Sequence, residues 1–266
     1  MNLSKPEELM SFLKRFGIRP DKSLGQNFLV DEKVLHVIVR AAELKGNEAV
    51  VEVGAGPGVL SQELAPSVQK LLSLDVDRRF ERPWHELMKS FSNAELLVQD
   101  VLTFRPPNEP YKLVANIPYF ITSPILKHFL RHQEIRRPEL IVLLIQKEVA
   151  ERIVDRKKPT LLSWEIGVFG EPSIVGVVPP SSFFPSPKVD SAVLKINVFP
   201  TPRVELNHQE GFFKMLCAAY RQPRKMLSNN LPGADRWKNI VDPKLRPHQL
   251  SLEDWKKLFQ KISNVS

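Results

Sequence analysis

The sequence predicts an α/β fold: a mainly parallel sheet with an antiparallel last strand, followed by a small all-helical domain. Three observations carry this expectation. Short apolar runs at residues 49–54, 71–75, 96–100, 112–117, 140–146, 174–178 and 192–198 read as strands, and most intervals between them are long enough for a crossover helix. The last two runs are joined by residues 179–188 without a helical stretch, which permits an antiparallel return. Beyond Phe199 the pattern passes through Pro200-Thr201-Pro202 into helical periodicity, first in Phe212, Phe213, Leu216 and Tyr220, then in Leu252, Trp255 and Leu258. A boundary near residue 200 divides the chain into domains of 1–199 and 200–266.

With 266 residues and 42% hydrophobic content, the chain can bury one sizeable core plus an appended lobe, so a folded globular protein is the expectation. Near the N-terminus Leu9, Phe12, Leu13 and Phe16 have helical spacing, but Lys5, Glu7, Glu8, Lys14 and Arg15 interrupt any apolar run suited to a signal or a membrane span. A soluble, cytoplasmic protein is expected. Cys217 is the only cysteine, so an intrachain disulfide and a thiolate metal cluster are excluded; a small core residue is expected there. The histidines 36, 85, 128, 132, 208 and 248 show no paired-ligand spacing, so no metal site is expected.

The formal net charge is +8, unevenly placed. Residues 181–266 hold 14 Lys/Arg against 7 Asp/Glu, whereas the preceding 180 residues hold 24 against 23. A basic lobe beside a neutral one suits either a polyanionic partner or a solubilising surface.

The first strand ends in Val51-Glu52-Val53-Gly54-Ala55-Gly56-Pro57-Gly58, where glycines let a strand-to-helix turn approach a nucleotide-like ligand. A dinucleotide fingerprint would need glycine at position 59, which is Val59, and no GxxxxGK[ST] segment is present. The second strand ends at Asp75, about twenty residues past the glycines, placed to accept from ribose hydroxyls; Asp77 competes for the role. The third ends at Asp100, placed to accept from an adenine amino group or to cap a helix.

The fourth strand runs into Asn116-Ile117-Pro118-Tyr119. The Asn116 side-chain carbonyl and the Ile117 backbone carbonyl are two acceptors for the two N–H groups of an exocyclic amine, whose lone pair they would localise for attack. Pro118 fixes the turn and Tyr119 offers a stacking face. Phe183, in the proline-stiffened loop 182–191, either closes the other side of a flipped base or packs against the second lobe.

Together these segments resemble the ribosomal RNA adenine N6,N6-dimethyltransferase family, most closely its bacterial small-subunit branch. The matching stretches are Lys22-Ser23-Leu24-Gly25-Gln26-Asn27-Phe28-Leu29, residues 51–58, Leu74-Asp75-Val76-Asp77, Gln99-Asp100-Val101-Leu102 and residues 116–119 followed by Ile121-Thr122-Ser123-Pro124. Residues 146–152, 183–191 and Tyr220-Arg221-Gln222-Pro223-Arg224-Lys225 match as well.

The resemblance implies a Rossmann-like class I methyltransferase sheet in domain 1–199 and S-adenosyl-L-methionine as cofactor. It implies dimethylation of two adjacent adenines near the 3′ end of small-subunit rRNA, by a monomer acting on a pre-ribosomal particle during ribosome biogenesis. Asn27 and Leu29 would contact the cofactor's methionine end, Gly54 would approach it through the backbone, Asp75 would take the ribose and Asp100 the adenine, with Gln26 and Gly56 also at the cofactor. Asn116 would touch both cofactor and target amine. Domain 200–266, with Arg221, Arg224 and Lys225, would help grip RNA.

The chain departs from the family pattern in three places. Residues 157–163 replace a longer glycine-containing stretch, Pro223-Arg224-Lys225 offsets the usual arginine pair, and Asp75 stands where Glu is common. Competing readings are a large-subunit adenine methyltransferase of the macrolide-resistance type, a DNA adenine methyltransferase, and an assembly factor that binds RNA without turnover.

Overall fold

The computed structural model describes residues 1–132 and 134–263. Its strands are β1 (Phe28–Leu29), β2 (Ala49–Val53), β3 (Lys70–Asp75), β4 (Ala94–Val98), β5 (Tyr111–Asn116), β6 (Leu140–Gln146), β7 (Gly170–Val178), β8 (Phe183–Phe184) and β9 (Ser191–Val198). The helices are α1 (Pro6–Arg15), α2 (Glu32–Ala41), α3 (Val59–Leu64), α4 (Glu81–Met88), α5 (Thr122–Arg131) and α6 (Lys147–Val154). They continue as α7 (Leu161–Gly167), α8 (Gln209–Ala219), α9 (Leu227–Asn230), α10 (Ala234–Trp237) and α11 (Leu252–Ser263).

Seven strands form one sheet in the order β4-β3-β2-β5-β6-β9-β7. The pairs β2–β3, β2–β5, β3–β4 and β5–β6 are parallel, and β9 runs antiparallel to β6 from Gln146↔Ser191 to Leu140↔Asn197. Each of the seven apolar runs became a strand of this sheet; β7 starts four residues earlier than its apolar pattern did. A parallel strand covered on both faces can carry apolar side chains at every position, and β6 does so from Leu140 through Ile145. Each such Leu or Ile contributes roughly 1.5–3 kcal/mol by leaving water.

Reversal of order beside β2 places a crevice at the carboxyl ends of β2 and β5, where open α/β sheets hold their ligands. Helix α2 backs the sheet with Leu35, Ile38 and Ala41 and is started by Asp31, whose side chain accepts from the Lys33 and Val34 amides. A second, two-stranded sheet pairs β1 with β8 through Phe28↔Phe184 and Leu29↔Phe183.

By internal contacts the chain divides into two compact units, one of Met1–Ala150 with Glu171–Val198, the other of Glu151–Gly170 with the chain from Phe199 onward. The expected cut at residue 200 assigned 151–170 to the first domain; these residues group with the second unit. The reason is packing. Trp164 donates its indole N–H to the Tyr220 hydroxyl at 2.8 Å, Tyr220 donates to the Pro159 carbonyl at 2.8 Å, and Phe169 stacks on Phe213. The second unit is otherwise helical, with Trp255 and Leu258 of α11 buried. Cys217 is exposed rather than in the core, because α8 turns Phe213 and Leu216 inward and leaves position 217 outside. Among the described residues no helix is long and apolar enough to cross a membrane.

Candidate active site

The glycine turn after β2 is held from two sides. Gly54 has φ +78°, and a Cβ there would lie 2.5 Å from the Asn116 backbone oxygen. Gly56 donates its amide to Asp75 Oδ2 at 2.7 Å, and the Asp77 amide donates to Asp75 Oδ1 at 2.8 Å. Burial pushes the Asp75 carboxyl above its usual range, against the pull of these backbone donors. Asp75 therefore ties the glycine turn to the end of β3 while standing at a cavity wall.

That cavity, about 320 Å³, is within the size range of small-molecule sites and opens at the carboxyl ends of the parallel strands. Gln26, Asn27, Gly54, Gly56, Asp75 and Asp100 line it, as does the whole of Asn116-Ile117-Pro118-Tyr119 together with Phe183. Leu29 does not line it. Leu29 is buried, and its neighbour Phe28 reaches the cavity instead, against Gly56. Arg221, Arg224 and Lys225 are exposed, in the second unit, and are not lining residues.

Asp100 lines the cavity and also accepts from the Leu102 amide at 2.9 Å to cap a short turn. Gln26 lines the cavity and is also held by two hydrogen bonds. Its amide oxygen accepts from the Asp21 amide and its nitrogen donates to Asp77 Oδ2, both at 2.8 Å. Asp77 itself is gripped by Arg79, which takes it out of competition with Asp75.

Asn116 Nδ2 faces the Asn27 carbonyl at 3.4 Å, so the amide oxygen is presented on the other side of the side chain. The Tyr119 hydroxyl shares a 2.7 Å hydrogen bond with Ser191, and burial raises its pKa, so the phenol stays neutral and the ring is fixed. Phe183 is only 3% exposed, held in β8 opposite Leu29.

Among the further lining residues, to which the sequence reading assigned no role, three stand out. Val76, Leu102 and Phe120 are 64%, 40% and 68% exposed, unusual for large apolar side chains, and all face this cavity. Each follows a strand-end polar residue by one to four positions, a signal too weak to single out unaided. A wider cleft of about 720 Å³ lies at the opposite, amino ends of the strands, where Lys112 pairs with Glu48 among charges of both signs. It lacks the aromatics and the glycine turn of the carboxyl-end cavity, and its glutamates stand among Lys45, Lys70 and Lys112.

The family model described as ribosomal RNA adenine dimethylase matches residues 18–264. A ribosomal RNA small subunit methyltransferase A from Dehalococcoides mccartyi is 38% identical over 272 residues, covering 96% of this chain and 92% of the relative. The protein of the same name from Staphylococcus haemolyticus is 34% identical, covering 99% and 97%. The crystal structure of the 23S rRNA methyltransferase ErmE superposes with a TM-score of 0.74 at 28% identity, covering 89% of this chain and 100% of that one. A dimethyladenosine transferase from Plasmodium falciparum shares the fold, with a TM-score of 0.78 at 24% identity over 89% of this chain and 98% of that one. With its parallel sheet, strand-end acids and Asn-Ile-Pro-Tyr turn converging on one cavity, this chain belongs to the ribosomal RNA adenine dimethylase family of methyltransferases.

Proposed function

We propose that this enzyme uses S-adenosyl-L-methionine to dimethylate N6 of two adjacent adenines near the 3′ end of small-subunit rRNA, as a cytoplasmic monomer working on a pre-ribosomal particle. The observation that carries the reading is the convergence of Asp75, Asp100 and the entire segment Asn116 to Tyr119 on one cavity. The names of the relatives that are 34–38% identical support the small-subunit substrate.

The residues present fit the cofactor. Asp75 and Asp100 are acceptors matched to ribose hydroxyls and an adenine amino group, and the apolar faces of Val76 and Leu102 suit a flat ring between them. Without side chains, Gly54 and Gly56 bring bare backbone to the cavity wall. When bound, S-adenosylmethionine supplies an electrophilic methyl on a sulfonium that departs as a neutral thioether.

Everything else falls to the chain. Adenine's exocyclic nitrogen is a poor nucleophile, because its lone pair is delocalised into the ring. The Asn116 side-chain oxygen and the Ile117 backbone carbonyl accept its two N–H groups and draw the lone pair onto nitrogen. Tyr119 provides a ring face for an adenine taken out of its stack, worth about 1–3 kcal/mol per base, and Phe183 borders the same cavity as a second aromatic wall. Orientation rather than a strong base is the main demand, which agrees with a site that holds no histidine. In the second unit, Arg221, Arg224 and Lys225 contribute phosphate contacts.

Methyl transfer from labelled cofactor tests the reading directly. A 3′-terminal fragment of small-subunit rRNA, in a partly assembled particle, should accept two methyl groups on each of two adenines. The likeness to a 23S rRNA methyltransferase keeps a second substrate in the assay. Labelling of a large-subunit fragment in preference to the small-subunit one would overturn the proposal.

A further inference from the structure

Residues 19–27 carry no regular secondary structure, yet they are fastened at two places on the cavity rim. On one side Gly25, with φ +64°, packs against Pro118 and Phe120, where an added Cβ would meet them at 3.2 and 3.3 Å. On the other side Gln26 donates to Asp77 at 2.8 Å. Pro118 follows β5 and Asp77 follows β3, so the segment runs from one flank of β2 to the other. Leu24 through Phe28 line the cavity beneath it.

Asp77 is the anchor of the second fastening, and Arg79 controls it. The guanidinium meets both carboxylate oxygens, Nε at 2.8 and 3.1 Å and Nη2 at 2.6 Å. This is the forked geometry that makes an arginine–carboxylate pair strong, around a carboxylate only 6% exposed. Burial opposes ionisation of Asp77, but the bonds from Arg79 and Gln26 outweigh it and hold the carboxyl below its usual range. Arg79 also reaches the segment itself, at the Arg19 carbonyl (3.5 Å) and the Asp21 carboxylate (4.0 Å). The Asp77 amide, in turn, donates to Asp75.

We propose that Arg79 is a positioning residue: by fixing Asp77 and Gln26 it holds residues 19–27 over the cavity and sets how fast the bound small molecule leaves. The inference rests on the reading of this cavity as the methyl-donor site. Arg79 does not line the cavity, so it acts on binding and not on the reacting atoms.

The test uses the full chain with Arg79→Ala, Arg79→Lys and Gln26→Ala. Lys22 is exposed within the segment, so trypsin cleavage after it, in ligand-free protein, reads how often the segment lifts. Arg79→Ala should raise the cleavage rate roughly three- to tenfold, the range expected when a forked ion pair is lost at a half-exposed site. S-adenosylmethionine affinity, by calorimetry, should fall by a similar factor, with the change in dissociation rate. KM for the donor should rise while kcat at saturating donor does not fall. Arg79→Lys, which cannot grip both oxygens at once, should lie between. In the cleavage assay the double variant with Gln26→Ala should exceed Arg79→Ala by less than the product of the two single effects, because both share Asp77. An Arg79→Ala protein of unchanged melting temperature, cleaved and releasing ligand at wild-type rates, would overturn the proposal. Failure of the wild type to bind S-adenosylmethionine would instead overturn the assignment of the cavity, and the cleavage rates would still decide whether Arg79 fastens the segment.

Discussion

A side chain on Gly54 would begin 2.5 Å from the backbone oxygen of Asn116, so the ends of β2 and β5 meet through main chain alone. Backbone cannot swing aside as a flexible side chain can. Gly54→Ala should therefore displace Asn116 as well as strain a φ of +78°. Gly46 is the control, since its φ is +87° with nothing within 4 Å of an added Cβ. Gly46→Ala should cost about 1 kcal/mol of stability and leave turnover intact, whereas Gly54→Ala should cost more and lower turnover at least tenfold. Equal effects of the two substitutions, in denaturant melts and methyl-transfer rates, would mean that the contact has no role.

Glu52 gives the fold a pH signature. It is fully buried on β2, where the Ser61 and Ser73 hydroxyls each donate to Oε2 at 2.5 Å and Oε1 has no partner among the described residues. Burial pushes its carboxyl up to about 7 from an ordinary 4.5, the serine bonds offsetting part of the rise. The folded state then binds more protons than the unfolded one between these values. Stability should fall as pH rises from 4.5 to 7, by on the order of 3 kcal/mol, and level off above. Glu52→Gln should remove that slope, and parallel pH profiles of wild type and variant would refute the assignment.

The aromatic and amide contributions separate by substitution. Asn116→Ala should lower turnover by about a hundredfold or more with little loss of RNA affinity, because the acceptor acts on charge that develops during transfer. Phe183→Leu keeps a buried apolar side chain opposite Leu29 but removes the flat face. After the first transfer only one N–H is left to hold, so stacking matters more in the second step. The variant should accumulate monomethyladenine, read by mass spectrometry of digested RNA; mainly dimethyladenine at the wild-type rate would show that Phe183 is a packing residue only.

Neutralising Arg221, Arg224 and Lys225 together to Gln should weaken RNA binding and flatten the slope of log affinity against log salt by about two to three units. Cofactor affinity should not change. An unaltered salt slope would mark this basic surface as a solubilising one.

The sheet was legible because β2, β5 and β6 are buried on both faces and so spell continuous apolar runs. The acids and the Asn116–Tyr119 turn were legible because each stands where a strand ends. What escaped depends on partners distant in sequence. The β1–β8 pair is two residues long on each side and has no period to detect. The partner of Gln26, Asp77, lies 51 residues away, so a residue that reads as a ligand is also a fastening. Residues 151–170 join the second unit through Trp164 and Tyr220, which are 56 positions apart. Cys217 went outward because helical phase, not residue type, decides which side of α8 is buried.

The β1–β8 pair bears on synthesis. Phe28 and Phe183 both line the cavity, and Phe28 finds its strand partner only in Phe184. A chain made from its N-terminus can assemble β2 through β6 and still lack one wall of the pocket. Contacts this far apart in sequence are slow to form and late to be rewarded. The capacity to hold a ligand should thus be completed late, once the chain past residue 184 has left the ribosome.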